Sequence, residues 1–137
     1  MLTIKQLAAL TTKDRKQRST YVKIAQNKIG HNKQGLGFIA AKTYSSHTVN
    51  NKGNIVPNPS PIHYVSVITF LDKKLHVHVG CSCDDNLFRY EFANTDKDAS
   101  EIEYSNGEPP DTMNPQLVPG LCKHLYRVYL SIKNKLP

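Results

Sequence analysis

The feature that most constrains this chain is the placing of its cysteines, because all three fall in two short half-motifs. Cys81 and Cys83 are separated by one residue, and Cys122 is separated by one residue from His124. An odd number of cysteines is awkward for a disulfide framework, and clustered thiols in a reducing compartment more often bind metal. Structural zinc sites fill four tetrahedral positions with thiolate and imidazole ligands. The pattern predicts one structural Zn²⁺ ion held by these four side chains.

The first half-motif follows the clearest β-hairpin signal in the chain. Residues 63–71 are rich in β-branched and aromatic residues, residues 72–74 suit a tight turn, and residues 75–81 alternate strictly. This pattern predicts a hairpin over 63–81. Side chains two apart in an extended segment share a face, so Cys81 and Cys83 can reach the same ion.

The second half-motif stands at the start of a predicted helix over 120–136. Side chains two apart within a helix differ by about 200° around its axis. Cys122 and His124 therefore converge only if Cys122 precedes the helix and His124 lies in its first turn. The Pro119-Gly120 pair marks that entry. One ion would then join the end of a strand to the beginning of a helix.

His76 and His78 are competing ligand candidates in the second strand of the hairpin. They lie two apart, on the face opposite to that of the two cysteines, unless a bulge at Gly80 shifts the alternation. We expect a polar sheet face or a contact surface for them, and the ligand alternative stays open.

The remaining segments predict an α+β fold built on a small antiparallel sheet. A strand near 36–46 should join the hairpin, and residues 49–61, with three prolines and four asparagines, should form a loop. Residues 84–119 should form an acidic insert that is irregular in its second part, after one or two helical turns. Helices should lie at both ends of the chain, and the zinc should join the sheet to the C-terminal helix.

Residues 3–29 show apolar residues at helical spacing, interrupted once. Thr3 can cap a first helix, and a second is predicted to run from about residue 12 to a C-cap at Gly30. Its apolar stripe is formed by Tyr21, Val22, Ala25 and Ile29. We therefore divide the chain into a basic helical arm, residues 1–34, and a zinc-stapled domain, residues 35–137.

The formal net charge of +7 is unevenly distributed along the chain. Residues 1–34 carry eight lysines and arginines against one acidic residue, whereas residues 84–112 carry nine acidic residues against two basic ones. Such asymmetry favours an acidic or polyanionic partner for the arm. Alternatively, the arm packs against the acidic insert of its own fold or of a neighbouring copy.

The order Cys-x-Cys followed by Cys-x-His resembles the SWIM zinc finger, whose fold is a β-hairpin followed by a helix. The resemblance covers residues 62–135 and matches the four proposed ligands one by one. The 38 residues between the half-motifs form a longer gap than is usual in that family, although loop closure costs grow only slowly with length. The resemblance implies a module that binds DNA or other proteins.

Residues 104–125 also resemble a segment of small SWIM-like structural proteins of tailed bacteriophages. That resemblance implies a structural component of the virion, with protein neighbours as partners. The protein would be found in the virion, or in the host cytoplasm before assembly, and would not be secreted. No apolar run approaches the roughly 20 residues that a membrane span needs.

Few sequence signals point to catalysis, and we expect neither an enzyme nor a small-molecule substrate. The chain has no glycine-rich phosphate loop, no HExxH helix and no nucleophile elbow. Asp84 and Asp85 form an acidic pair beside the first half-motif, which is typical of a solvated turn. Four protein ligands on zinc would leave no position for an activated water.

Nucleic-acid binding through the basic arm is the alternative function. Phosphate groups would be contacted by four basic side chains, with Tyr21 available to stack on a base. The candidate phosphate-binding residues are Arg15, Lys16, Arg18 and Lys23.

Overall fold

A computed structural model of the chain describes residues 1–101, 114 and 116–137. Within them lie four α-helices, a four-stranded antiparallel sheet and a two-stranded sheet, which confirms the α+β class. The helices are α1 (Ile4–Leu10), α2 (Lys13–Arg18), α3 (Glu91–Asp96) and α4 (Lys123–Ile132). The strands are β1 (Val22–His31), β2 (Gly37–Ser45), β3 (His47–Val49), β4 (Ile55–Pro57), β5 (Tyr64–Phe70) and β6 (Val77–Cys81).

The larger sheet has the strand order β1-β2-β5-β6, and all its neighbouring strands are antiparallel. The predicted hairpin over 63–81 is β5 and β6, and the predicted strand near 36–46 is β2. The turn between β5 and β6 is longer than the sequence suggested. The Leu71 N–H donates to the carbonyl of His76 across a four-residue loop, in which Leu75 has a positive φ of 66°.

The loop predicted for residues 49–61 contains a strand, so that prediction is wrong in part. β4 pairs with β3 in a short hairpin. Its turn is closed by Asn50, whose side-chain oxygen accepts hydrogen bonds from the N–H groups of Lys52 and Asn54. Gly53, with a φ of 79°, supplies the left-handed residue that the turn requires.

The amino-terminal segment is helical only in part. Thr3 caps α1 in a reciprocal capping box with Gln6, as its position predicts. The second helix ends at Arg18 and is followed by a 3₁₀ turn at Ser19–Tyr21. The helix predicted to continue to Ile29 is wrong, because Val22–His31 forms β1, hydrogen-bonded along its length to β2.

The helices pack on one face of the larger sheet and enclose the core. The core is formed by side chains of α1 and α4 and by the inward-facing side chains of β2, β5 and β6. Residues of the predicted arm belong to it: Ile4 and Leu7 are fully buried. The outer edge of β6 is covered by backbone hydrogen bonds from Val77 N–H to Leu2 and from Val79 N–H to Ala99. Among the described residues, no helix has the length and apolar character needed to cross a bilayer.

The first part of the acidic insert is helical, as predicted. It consists of a π-helical turn at Asn86–Tyr90 followed by α3. Most of the second part, predicted to be irregular over residues 105–119, lies outside the described residues.

Candidate metal centre

The four predicted ligand side chains come together in the core. The Sγ atoms of Cys81, Cys83 and Cys122 and a ring nitrogen of His124 all lie within 4.8 Å of one another. All four residues are at most 3% exposed. Zinc–sulfur bonds of about 2.3 Å in tetrahedral geometry place sulfurs about 3.8 Å apart. The cluster could therefore hold one metal ion after small side-chain movements.

Each half-motif is positioned by the secondary structure that the sequence predicts for it. Cys81 is the last residue of β6 and faces the core with Val77 and Val79. Cys122 is the N-cap of α4, where its sulfur accepts the N–H of Leu125 at 3.5 Å. His124 lies in the first turn of that helix, on its buried side.

His124 is buried with both ring nitrogens unsatisfied. Among the described residues, neither Nδ1 nor Nε2 has a hydrogen-bond partner. The ring of Tyr64 lies against the imidazole, with centroids 5.0 Å apart. Burying a polar group without a partner costs free energy. A metal ion on one of these nitrogens would supply the missing interaction, so the histidine fits the role of a ligand.

Each sulfur of the cluster has one donor from outside the ligand set close to it. The Ser66 hydroxyl lies 3.3 Å from Cys81 Sγ, and the Asn86 N–H donates to Cys83 Sγ at 3.4 Å. The Leu125 N–H serves Cys122 in the same way. Donors directed at sulfur stabilise thiolate ligands and orient them. Asn86 also holds the segment after Cys83 against the end of β6, because its side-chain amide donates to the carbonyl of Cys81 at 2.8 Å.

The pKa values of the thiols shift in opposite directions within the cluster. Hydrogen bonds from the thiols of Cys122 and Cys83 hold the pKa of Cys81 well below its ordinary value. Burial raises the pKa of Cys122 well above it. A bound metal requires its cysteine ligands to be deprotonated. Metal binding should release protons and weaken as the pH falls.

Ser66→Ala should weaken metal binding without unfolding the protein. The hydroxyl removed is fully buried beside Cys81, and loss of such outer partners typically costs ten- to a hundredfold in affinity. We expect about a tenfold lower affinity, measured by competition with a chromogenic chelator. Ser60→Ala, at an exposed position, is the matched control. Equal affinities for the two variants would contradict a role for Ser66.

The competing histidines do not join the cluster. His76 Nδ1 lies 2.7 Å from Asp72, and His78 Nε2 lies 3.2 Å from Asp98. The pairing of β5 with β6 runs without a register shift through Gly80. The two histidines and the two cysteines therefore stay on opposite faces, as strict alternation predicts.

The four basic residues proposed to contact phosphates differ in their surroundings. Arg15 makes two hydrogen bonds of 2.9 Å to the carboxylate of Asp85 and also pairs with Asp14. Arg18 pairs with Asp14 as well. Lys16 lies over a tyrosine ring of α4, and Lys23 is an exposed residue of β1. The Arg15–Asp85 pair is a contact between the basic arm and the acidic insert of the same chain.

A groove of about 870 Å³ borders the metal cluster. Its walls come from α2, the β3–β4 hairpin, residues 58–64 and the start of α4, and Cys83 and His124 are among its lining residues. The exposed apolar side chains of Val49, Ile55 and Ile62 line it, each more than half exposed. Tyr21, proposed as a stacking residue, is packed against His47 in this wall, with ring centroids 4.9 Å apart.

The fold and the cluster define a small α+β protein with a candidate metal site of three cysteines and one histidine. No protein-family profile, curated protein or solved structure matches this chain.

Proposed function

We propose that this chain is a non-enzymatic structural component of a large assembly, a tailed-phage virion protein, whose fold is stabilised by one Zn²⁺ ion. The observation that carries the proposal is the buried cluster, in which four ligand atoms from two distant segments lie within 4.8 Å of one another.

The chemistry of the ligand set supports zinc. Thiolates select soft or borderline metals such as zinc, copper(I) and iron–sulfur clusters. Three sulfurs and one imidazole nitrogen around a single position suit tetrahedral zinc, which needs no redox partner and no open site. When bound, the ion would supply a cross-link between β6 and the start of α4.

A structural role is favoured over a catalytic one because the ligand set is complete. A catalytic zinc usually keeps one position open for water or substrate, whereas four protein side chains are available here. Every ligand is also buried, and each sulfur is already engaged by one donor.

Assembly is supported by the groove beside the metal and by the resemblance to phage structural proteins. Val49, Ile55 and Ile62 form an apolar surface along this groove, which fits protein neighbours better than a charged ligand. The resemblance of residues 104–125 is what suggests a virion as the assembly.

Mass spectrometry of purified virions tests the assembly proposal. The particles should contain this chain in a constant ratio to the major capsid protein through repeated gradient purification. A non-structural protein of the same phage serves as the control and should be lost. Loss of this chain together with that control would contradict a virion role while leaving the zinc proposal intact.

A further inference from the structure

The larger sheet has two very different faces. One face packs on α1 and α4 and contains Ile39, Ile68 and Val79, all nearly fully buried. The opposite face is open: Lys42 on β2 and Val65 on β5 are exposed, although both strands lie in the interior of the sheet. Among the described residues, no helix packs on this second face.

Three lysines share the open face in successive rows of the sheet. The register pairs Lys23 with Tyr44, Lys42 with Gln26 and Lys28 with Ala40, and paired residues point to the same side. Successive rows are about 7 Å apart, because a strand rises about 3.4 Å per residue. All three lysines are exposed, and the ion pairs of the described residues include none of them.

The four strands of this sheet contain no aspartate or glutamate. Among the described residues, acidic side chains approach the open face at β6, where Asp98 and Glu101 lie near His78 and Asp72 lies near His76. The face is therefore uniformly basic over β1 and β2.

Aromatic rings accompany the lysines on the same face. Tyr44 lies in the row of Lys23, and its ring contacts that of His63 with centroids 5.0 Å apart. Phe38, half-buried, lies two rows beyond Lys42 on the same side of β2. Flat rings beside a line of cations are the two elements that single-strand-binding surfaces combine, because bases stack on the rings while phosphates meet the lysines.

We propose that the open face of the four-stranded sheet binds single-stranded nucleic acid, with Lys23, Lys28 and Lys42 contacting phosphates and Tyr44 stacking on a base. This surface replaces α2 as the nucleic-acid site. Arg15 and Arg18 on that helix are engaged by carboxylates, whereas the three lysines have no such partner in the described part of the chain. A duplex fits less well, because its bases are stacked internally and cannot reach Tyr44.

The surface is separate from the metal cluster. The ligand side chains lie on the core side of the sheet, so substitutions on the open face should leave metal content unchanged. The proposal therefore depends on the fold and not on the identity of the ion or on the virion role.

Fluorescence anisotropy with full-length protein and a labelled oligothymidine of roughly 20 nucleotides, longer than one such site, tests the proposal. The variant combines K23E, K28E and K42E, and the matched control combines K73E, K74E and K135E, which change the charge equally at exposed positions elsewhere. We expect the face variant to bind at least about tenfold more weakly than the control. The slope of log K against log salt concentration should also become shallower by about two, because three phosphate contacts to a single strand are lost.

Tyr44→Ala separates stacking from charge. It should weaken binding about five- to a hundredfold while leaving the salt slope unchanged. Circular dichroism and metal content should match wild type for each variant, so that loss of binding is not loss of fold. Equal weakening in the face and control variants, tighter binding to duplex than to single strand, or no binding at low salt would each overturn the proposal.

Discussion

Replacing Cys122 with serine is expected to unfold the protein, because it removes one of four ligands from the metal that joins β6 to α4. Serine is a better N-cap than cysteine, so the substitution preserves the cap of α4. Any loss of stability then belongs to the ligand role of the sulfur. Structural zinc binding contributes about 10–16 kcal/mol in small zinc-binding peptides, which equals or exceeds the 5–15 kcal/mol stability of a typical domain.

Thermal unfolding followed by far-ultraviolet circular dichroism measures this effect. The chain contains seven tyrosines and no tryptophan, so tyrosine fluorescence gives a second probe. A strong chelator should reproduce the effect in the wild type. The matched controls are His124→Ala, which should unfold, and His78→Ala, which should not, because His78 lies outside the cluster. A Cys122→Ser variant with wild-type melting behaviour would contradict the ligand assignment.

Asn94→Ala is expected to have the next largest effect, about 2 to 5 kcal/mol of unfolding free energy. Asn94 is fully buried in α3, and its side chain binds both backbone groups of Gly120 at 2.9 Å. Alanine would leave the buried N–H and carbonyl of Gly120 without these partners. The turn that delivers Cys122 would be loosened, because these two hydrogen bonds hold Gly120 against α3.

Urea denaturation at saturating zinc measures the cost of Asn94→Ala separately from metal loss. Asn51→Ala, at an exposed position in the β3–β4 turn, is the matched control and should change stability by less than about 0.5 kcal/mol. Equal stabilities for the two variants would show that the hydrogen bonds to Gly120 do not position the second half-motif.

The metal cluster could be predicted from sequence because each half-motif depends only on local geometry. Alternation in β6 places Cys81 on the core side, and the Pro119-Gly120 entry places Cys122 before α4 rather than within it. Neither placement requires knowledge of the tertiary contacts. The helical turns after Cys83 were predictable for the same reason.

Strand β1 was not predictable from its own residues. Val22 and Ile24 begin a two-residue alternation, but a bulge at Ala25 interrupts it, and Ile29 then falls at helical spacing. As an edge strand, β1 also exposes most of both faces, so its hydrophobic pattern is weak. Its conformation is determined by pairing with β2, which is a tertiary interaction.

The donors to sulfur were missed because they depend on register. Ser66 reaches Cys81 only because the two residues are directly paired. A three-residue turn at 72–74 would have paired Cys81 with Val65, the residue before Ser66, whose side chain lies on the other face. The fourth loop residue, Leu75, sets the observed register through its left-handed conformation. Nothing in the local pattern demanded positive φ at a leucine.

Charge distribution along the sequence located the basic residues but not their partners. The excess positive charge of residues 1–34 left two alternatives open, an external polyanion and the acidic insert of the same chain. Arg15 illustrates the second alternative, since Asp85 binds it at two positions. Lys23 and Lys28 favour the external polyanion. The sequence alone does not show that they share a face of the sheet, because this follows from the pairing of β1 with β2.

Elemental analysis of protein purified without added metal is the most direct test of the zinc-stapled fold. We expect one zinc per chain in the wild type and its loss in Cys122→Ser. Less than about half a zinc per folded chain, or another metal in stoichiometric amount, would contradict it.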